Sequence, residues 1–434
     1  MNFSQSAIFS IIASFGLLFV NLFISIIESR VLGPEEIGRF QVYITTQTYI
    51  ATICALGIGQ SCIYFINALK ITERKVLSTS VNASLVLALL SGIAILLIIV
   101  LNPNYFGSTA ITSICMFSIG TSAVIINNIF TPVLLARMEV VRNQVIKYSS
   151  RVITLIVLLF IVLRGNNLSV DFLIGLTGVT SVLSTFLLYY YFRNRFSFND
   201  GIDYRLLWEI TSYGIKLSGN NIASITLISL PIYFLTWFST TDGVMNVGYY
   251  GRANSLLVIG TIISTSIGPL LYSKWSGTSK DELKSQVRRM SMMYFLINLV
   301  ITLGLIAFAP LLIKILYGQE FLPSIRILQV LAVSIVGNGI KEICYGILSS
   351  QGHPTKILKN LILGIVACAI GDYWMISYYG VLGCSIVTSI VSIFTAVLLM
   401  IDTTKISNIK ILDFFVLPSK QDIRSIVQQV LRKS

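Results

Sequence analysis

Charge is scarce in this chain, and histidine nearly absent. Of 434 residues only 11% are Asp, Glu, Lys or Arg, and one is His. A soluble domain carries about 25% charged residues, so a water-facing surface cannot be built from this composition. One histidine, His353 in a Gly352-His353-Pro354 turn, leaves little general acid–base chemistry and no His-rich metal site. The six cysteines, Cys54, Cys62, Cys115, Cys344, Cys368 and Cys384, all lie in apolar stretches and form no C-x-x-C pair. They predict neither a disulfide framework nor a metal ligand set. No P-loop, G-x-S-x-G elbow or H-E-x-x-H motif occurs, so the sequence predicts no cofactor and no enzyme active site. The first 29 residues lack Lys and Arg, unlike the start of a secretory signal peptide, so the first apolar stretch is expected to be a retained span.

Apolar length is abundant instead. Residues of the AVILMFWYC set make up 55% of the chain, and mean hydropathy is +0.83. Runs long enough to cross a hydrocarbon core fall near 7–27, 40–66, 79–101, 109–135, 145–163, 170–192, 210–238, 248–273, 290–313, 323–350, 357–377 and 380–402. Unbroken apolar length without strand-like alternation predicts an all-α membrane protein with about 12 transmembrane helices. Twenty-three of the 31 Lys and Arg follow even-numbered runs or lie in the tail, and six follow odd-numbered runs. The positive-inside rule then puts both termini in the cytoplasm. The net charge of +13 follows from the same bias, and no basic run is dense enough for nucleic acid. No loop is long enough for a folded extramembrane catalytic domain. Function must reside in or between the helices.

Two correspondences recur at an offset of 210. Gly33 and Gly38 before the second run match Gly243 and Gly248 before the eighth, and Asn128 matches Asn338. Six runs in each half make the copies parallel, which predicts two pseudo-symmetric six-helix lobes around a central cavity. The expected boundaries are a lobe at 1–195, a cytoplasmic linker at 196–209, a lobe at 210–402 and a cytoplasmic tail at 403–434. In the tail, Ser419 to Asp422 resembles a capping box. Ile423, Ile426, Val427, Val430 and Leu431 then recur at amphipathic helical spacing, fit to lie on the membrane surface.

Charges at bilayer depth are costly and usually face a cavity or a partner. Lys341 and Glu342 lie inside the tenth run and Lys216 inside the seventh, while Arg30 and Arg252 sit at or near run ends. Each of these is a candidate substrate contact, or else a structural ion pair or an interfacial residue. Asp372 lies inside the eleventh run with no evident partner. Asn128 and Asn338, with Asn127, Asn220, Asn221 and Asn298, offer amides that suit sugar hydroxyls or serve as interhelical glue. Cations suit an anionic cargo such as a pyrophosphate.

The segment Arg30-Val31-Leu32-Gly33-Pro34-Glu35-Glu36-Ile37-Gly38 resembles the R-x-L-G-P-E-x-x-G signature of polysaccharide transporters. Val247 to Ala253 is similar to their V-G-x-Y-x-x-A. Pro310 to Gly318 followed by Leu331, and Leu348 to Lys356 with Gln351-Gly352, resemble two further stretches. The family is the O-antigen flippase group (Wzx type) of the multidrug/oligosaccharidyl-lipid/polysaccharide exporter superfamily. The resemblance implies alternating access by two six-helix lobes in the bacterial inner membrane. It implies a cargo of undecaprenyl-pyrophosphate-linked glycan moved from the cytoplasmic to the periplasmic leaflet. Membrane lipids, a polysaccharide polymerase and a chain-length regulator are the implied partners. Lipid II flippases carry several arginines in the first helix. None precedes Arg30 here, so those residues are not carried over. Alternatives are a small-molecule antiporter of the same fold, whose usual first-helix aspartate is missing, and a membrane polymerase, whose large periplasmic loop is missing.

Overall fold

The structure, a computed structural model, describes residues 3–67, 69–101, 111–137, 139–165, 168–196, 201–239, 242–275, 280–407 and 409–415. The amphipathic tail expected at 419–433 lies outside them. Among the described residues twelve α-helices run in order: α1 Phe3–Cys54, α2 Ile58–Asn67, α3 Glu73–Leu101, α4 Ile111–Ala136, α5 Val140–Leu163, α6 Val170–Phe192, α7 Tyr204–Phe238, α8 Gly243–Trp275, α9 Lys280–Leu316, α10 Ser324–Ala332, α11 Ser334–Ser350 and α12 Pro354–Ser407. No strand occurs among the described residues. A chain this apolar must satisfy its backbone within each segment, which only helices do without a closed barrel.

Nine candidate membrane spans stand out among the described residues. Two of them, Ala13–Ile66 and Pro354–Ser407, have 54 residues each. At 1.5 Å per residue such a helix would be about 80 Å long, far beyond a bilayer core of about 30 Å. Both fold back instead. Gly33 (φ 69°, ψ 173°) breaks α1 and Gly380 (φ 55°, ψ −136°) breaks α12. Pro34 opens the second arm of α1, where a missing N–H costs nothing. Each long element therefore holds two of the expected runs, and the eighth run lies on α8. The second expected run, 40–66, is not continuous. It breaks at Ala55–Gly57, where Leu56 (φ 47°) and Gly57 (φ 67°) both take positive φ.

The chain divides into two compact units, one of Phe19–Ile232 and one of Met1–Leu18 with Tyr233–Ser434. In the first, Ile58, Cys62 and Phe65 of α2, Val76, Leu77 and Val81 of α3, and Ile129 to Leu134 of α4 share a core with Phe192 and Ile210. Phe130 and Phe192 stack there at 4.9 Å. In the second, the two arms of α12 approach through small residues: a Cβ on Gly371 would come within 2.8 Å of Val387. Leu89, Leu163, Val300 and many other large apolar side chains face outward. Many buried hydroxyls bond within their own helices, as Ser84 does on Val81 O at 2.6 Å and Thr121 on Phe117 O at 2.8 Å. This inside-out distribution fits a hydrocarbon solvent: the protein is a multi-pass membrane protein.

Both units fasten the segment after their last expected run to the start of an earlier helix. Asp203 accepts from Lys75 of α3 at 2.8 Å and caps α7 by accepting from Leu206 N at 3.0 Å. Asp413 pairs with Lys284 at 3.7 Å and Arg288 at 3.4 Å, both on α9. Asp203 and Asp413 stand 210 residues apart, the offset already seen at Gly33 and Asn128.

Candidate functional site

In the second unit, Lys341 and Glu342 lie half-buried on α11. Gly339, one turn before, lets α9 come close: a Cβ there would collide with the Asn298 amide. Asn298 donates to Tyr294 O at 2.8 Å, and Tyr294 lies within electrostatic reach of Glu342. The Tyr294 hydroxyl is buried without a hydrogen-bond partner. A cation, an acid and a phenol thus meet where α9 and α11 touch. Arg252 of α8 is 6% exposed, and its guanidinium sits 5.9 Å from the Tyr317 ring, whose hydroxyl bonds Ser255 at 2.8 Å. Asn338 accepts from Ser392 Oγ at 3.1 Å, tying α11 to α12. Asn127 does the equivalent work in the first unit, donating to Ser184 Oγ at 2.8 Å and accepting from Thr185 at 3.1 Å. For these two asparagines the contacts are interhelical glue.

In the first unit Arg30, Asn128 and Lys216 are exposed on α1, α4 and α7. Two further cations escaped the sequence reading. Lys147 and Arg151 lie at the start of the fifth expected run, 145–163, where charge is ordinary, yet α5 begins earlier, at Val140, and carries both. Spaced four apart, they share a helix face. Both keep their surface exposed, although each is desolvated by surrounding protein. Glu28 of α1, 6% exposed, lies within electrostatic reach of Arg151. A charged i, i+4 pair inside an apolar run is the signal that would have found them.

Asp372 has partners after all. It is fully buried on α12, and Cys368 Sγ donates to its Oδ2 at 3.2 Å. Cys384, from the arm beyond Gly380, lies within its electrostatic reach. Nearby, Phe234, Phe238, Ala369, Ile370, Tyr373 and Trp374 line an apolar groove of about 320 Å³. It offers a headgroup nothing to bond and suits a hydrocarbon chain. Among the described residues no group of three or more His, Cys, Asp or Glu could hold a metal.

A dense ionic cluster closes the basic end of the first unit. Tyr191 donates to Glu139 at 2.5 Å and accepts from Arg195 at 2.8 Å. Arg142 pairs with Glu139 at 3.0 Å, and Arg137 bridges Glu139 at 3.3 Å and Glu73. Burial pushes the Glu139 carboxyl up, but the Tyr191 hydroxyl and the Arg142 and Arg137 charges outweigh it and hold it below the usual glutamate range. Lys75, aided by the Leu206 amide, likewise holds Asp203 below the usual aspartate range.

Known proteins resemble this chain in sequence and in fold. A family model described as "Polysaccharide biosynthesis protein" matches residues 4–272. A Shigella flexneri protein named "Putative O-antigen transporter" is 27% identical over 230 residues, which is 50% of this chain and 52% of that protein. The match thus spans about half the length of that relative. The lipid II flippase MurJ, in an inward closed conformation, superposes with TM-score 0.75 at 13% identity, over 94% of this chain and 89% of its own. An inward-facing multidrug resistance MATE family transporter gives 0.72 at 17%, over 92% and 98%. A MOP superfamily transporter from Pyrococcus furiosus gives 0.69 at 18%, over 93% and 95%. At such identities these structures establish a common fold.

Proposed function

The chain belongs to the polysaccharide biosynthesis protein family, and from that premise we propose that it is a flippase for lipid-linked oligosaccharide. The cargo would be an undecaprenyl-pyrophosphate-linked repeat unit of O-antigen or a similar surface polysaccharide. It would pass from the cytoplasmic to the periplasmic leaflet of the bacterial inner membrane, with the basic end of the helices in the cytoplasm. The observation that carries this reading is the placement of cations inside apolar helices: Lys147 and Arg151, exposed, in one unit and Lys341, half-buried, in the other. A pyrophosphate carries charge that hydrocarbon cannot solvate, and fixed cations replace its water. The isoprenoid tail needs no such help and stays in lipid. Translocation would come from two lobes, 1–195 and 210–402, rocking about the linker 196–209. The pairs Gly33/Gly243, Asn128/Asn338 and Asp203/Asp413 support that duplication.

Deleting the gene should strand lipid-linked repeat units on the cytoplasmic leaflet, visible as their protection from periplasmic glycan-modifying enzymes. Normal surface polysaccharide in the deletion strain would sink the assignment. A second reading, a small-molecule antiporter, draws on the buried Asp372 and the MATE-like fold. It expects the deletion strain to accumulate cationic drugs while its polysaccharide stays normal.

A further inference from the structure

A ladder of polar rungs joins α9 to α10 and α11 in the second unit. Gln329 Nε2 donates to Ile306 O at 3.2 Å, and Thr302 Oγ1 donates to Ala332 O at 3.2 Å. Asn298 comes next, packed so tightly on Gly339 that a Cβ there would lie 2.2 Å from the amide nitrogen. Positions fall along α9 as they rise along α10 and α11, so the helices run antiparallel. One more turn of each brings Tyr294 to Glu342. The first two rungs close on hydrogen bonds and the third on a glycine. The last one stays open. Tyr294 is 7% exposed, and its hydroxyl is buried with no hydrogen-bond partner among the described residues. Glu342 is near enough to act on it electrostatically but does not bond it. A buried hydroxyl left unpaired costs stability. Phenylalanine would serve a mere helix contact better.

Charge narrows what could close this rung. Lys341 and Glu342 are neighbours on α11, and adjacent helical side chains point about 100° apart. Glu342, and not Lys341, is the one that acts on Tyr294. An ionised carboxylate only accepts hydrogen bonds, and it repels phosphate. It therefore recognises neutral donors, and its two oxygens match two neighbouring hydroxyls. The phenol beside it can donate to an oxygen of the same ring.

Building on the transport reading, we propose that Tyr294 and Glu342 form a sugar subsite, which selects a neutral vicinal diol in the glycan of the cargo. Lys341, on a different face of α11, is left to the pyrophosphate.

The test uses the full-length chain in nanodiscs of the host's own lipids, with Kd read by native mass spectrometry. The probes are the undecaprenyl-pyrophosphate-linked repeat unit extracted from the host membrane, the same material after periodate cleavage of its vicinal diols and borohydride reduction, and bare undecaprenyl pyrophosphate. The intact probe should bind about tenfold or more tighter than the bare lipid, and periodate should remove most of that advantage. Glu342→Gln should cut the advantage roughly tenfold and Tyr294→Phe roughly fivefold, with the bare lipid held no more weakly than before. An advantage unchanged in both variants would overturn the subsite. So would equal binding of intact and bare lipid by the native chain, or of intact and periodate-cleaved glycan. Melting separates recognition from a structural role. Without cargo, Tyr294→Phe should melt at or above the native temperature, because the hydroxyl gives up no bond, and a clear drop would also overturn the proposal. Failure of the transport reading shows separately, as normal surface polysaccharide in the deletion strain.

Discussion

The two units handle charge differently. At its basic end the first unit spreads five charged residues, Glu73, Arg137, Glu139, Arg142 and Arg195, around Tyr191. The second gathers two cations on one carboxylate, Asp413, whose side chain is 10% exposed. Inside the membrane the contrast reverses. The first unit leaves Lys147 and Arg151 open with a single buried acid near them, while the second sets Lys341 beside Glu342 and seals Asp372 with thiols. Where water is near, many weak pairs suffice and removing one member matters little. Where it is scarce, one acid carries a fastening alone. On the proposed transport reading, the asymmetry would give the first unit the larger share of an anionic headgroup's charge.

That contrast can be broken at several points. The largest effect is expected from Lys147→Ala with Arg151→Ala, which should reduce surface polysaccharide at least tenfold with normal membrane insertion, if each charge-assisted contact is worth about 1.5–3 kcal/mol. Lys341→Ala should reduce export less, because Glu342 already offsets part of its charge. Equal losses from the two variants, measured by immunoblot of surface glycan, would erase the asymmetry. Next, Asp413→Ala should destabilise the detergent-solubilised protein by roughly 1–2 kcal/mol, since Lys284 and Arg288 both lose the carboxylate they share. A lowered melting temperature with unchanged oligomer profile checks it. A pH effect should follow in the first unit. The Glu139 carboxyl is held below its unfolded value, so its contribution is present above the usual glutamate range and is lost as pH falls through the folded value. Melting at pH 7 and again below about pH 4.3, the usual glutamate pKa, should show this loss, and Glu139→Gln should flatten that part of the profile. The smallest change is expected from Asp203→Asn, which keeps an oxygen for the Leu206 amide and loses only the charge facing Lys75, an exposed cation that water can solvate.

Much of this scaffold is legible in the residue order because hydrocarbon imposes a simple length rule. Runs such as 170–192 and 145–163 fall on α6 and α5 almost without adjustment. Backbone geometry is harder to read. Gly33 and Gly380 turn the chain, yet Gly57 breaks a run that hydropathy sees as continuous, because hydropathy does not register φ. Site residues divide similarly. Lys341 and Glu342 stand out as rare charges in an apolar run. Lys147 and Arg151 hide near a run end, where charge is ordinary, and only the helix start at Val140 reveals how deep they sit. Asp372 was found from sequence, but its thiol partner Cys368 looked like an inert apolar residue.

The matching straps at Asp203 and Asp413 bear on ancestry. Six passes return a chain to the side it started from, so a six-pass precursor would begin and end in one compartment. Two copies joined tail to head would need no added crossing, and the clasp that finished the first would become the bridge to the second. Asp203, now capping α7 as well as gripping α3, is where such a fusion would have given an old terminus a new task.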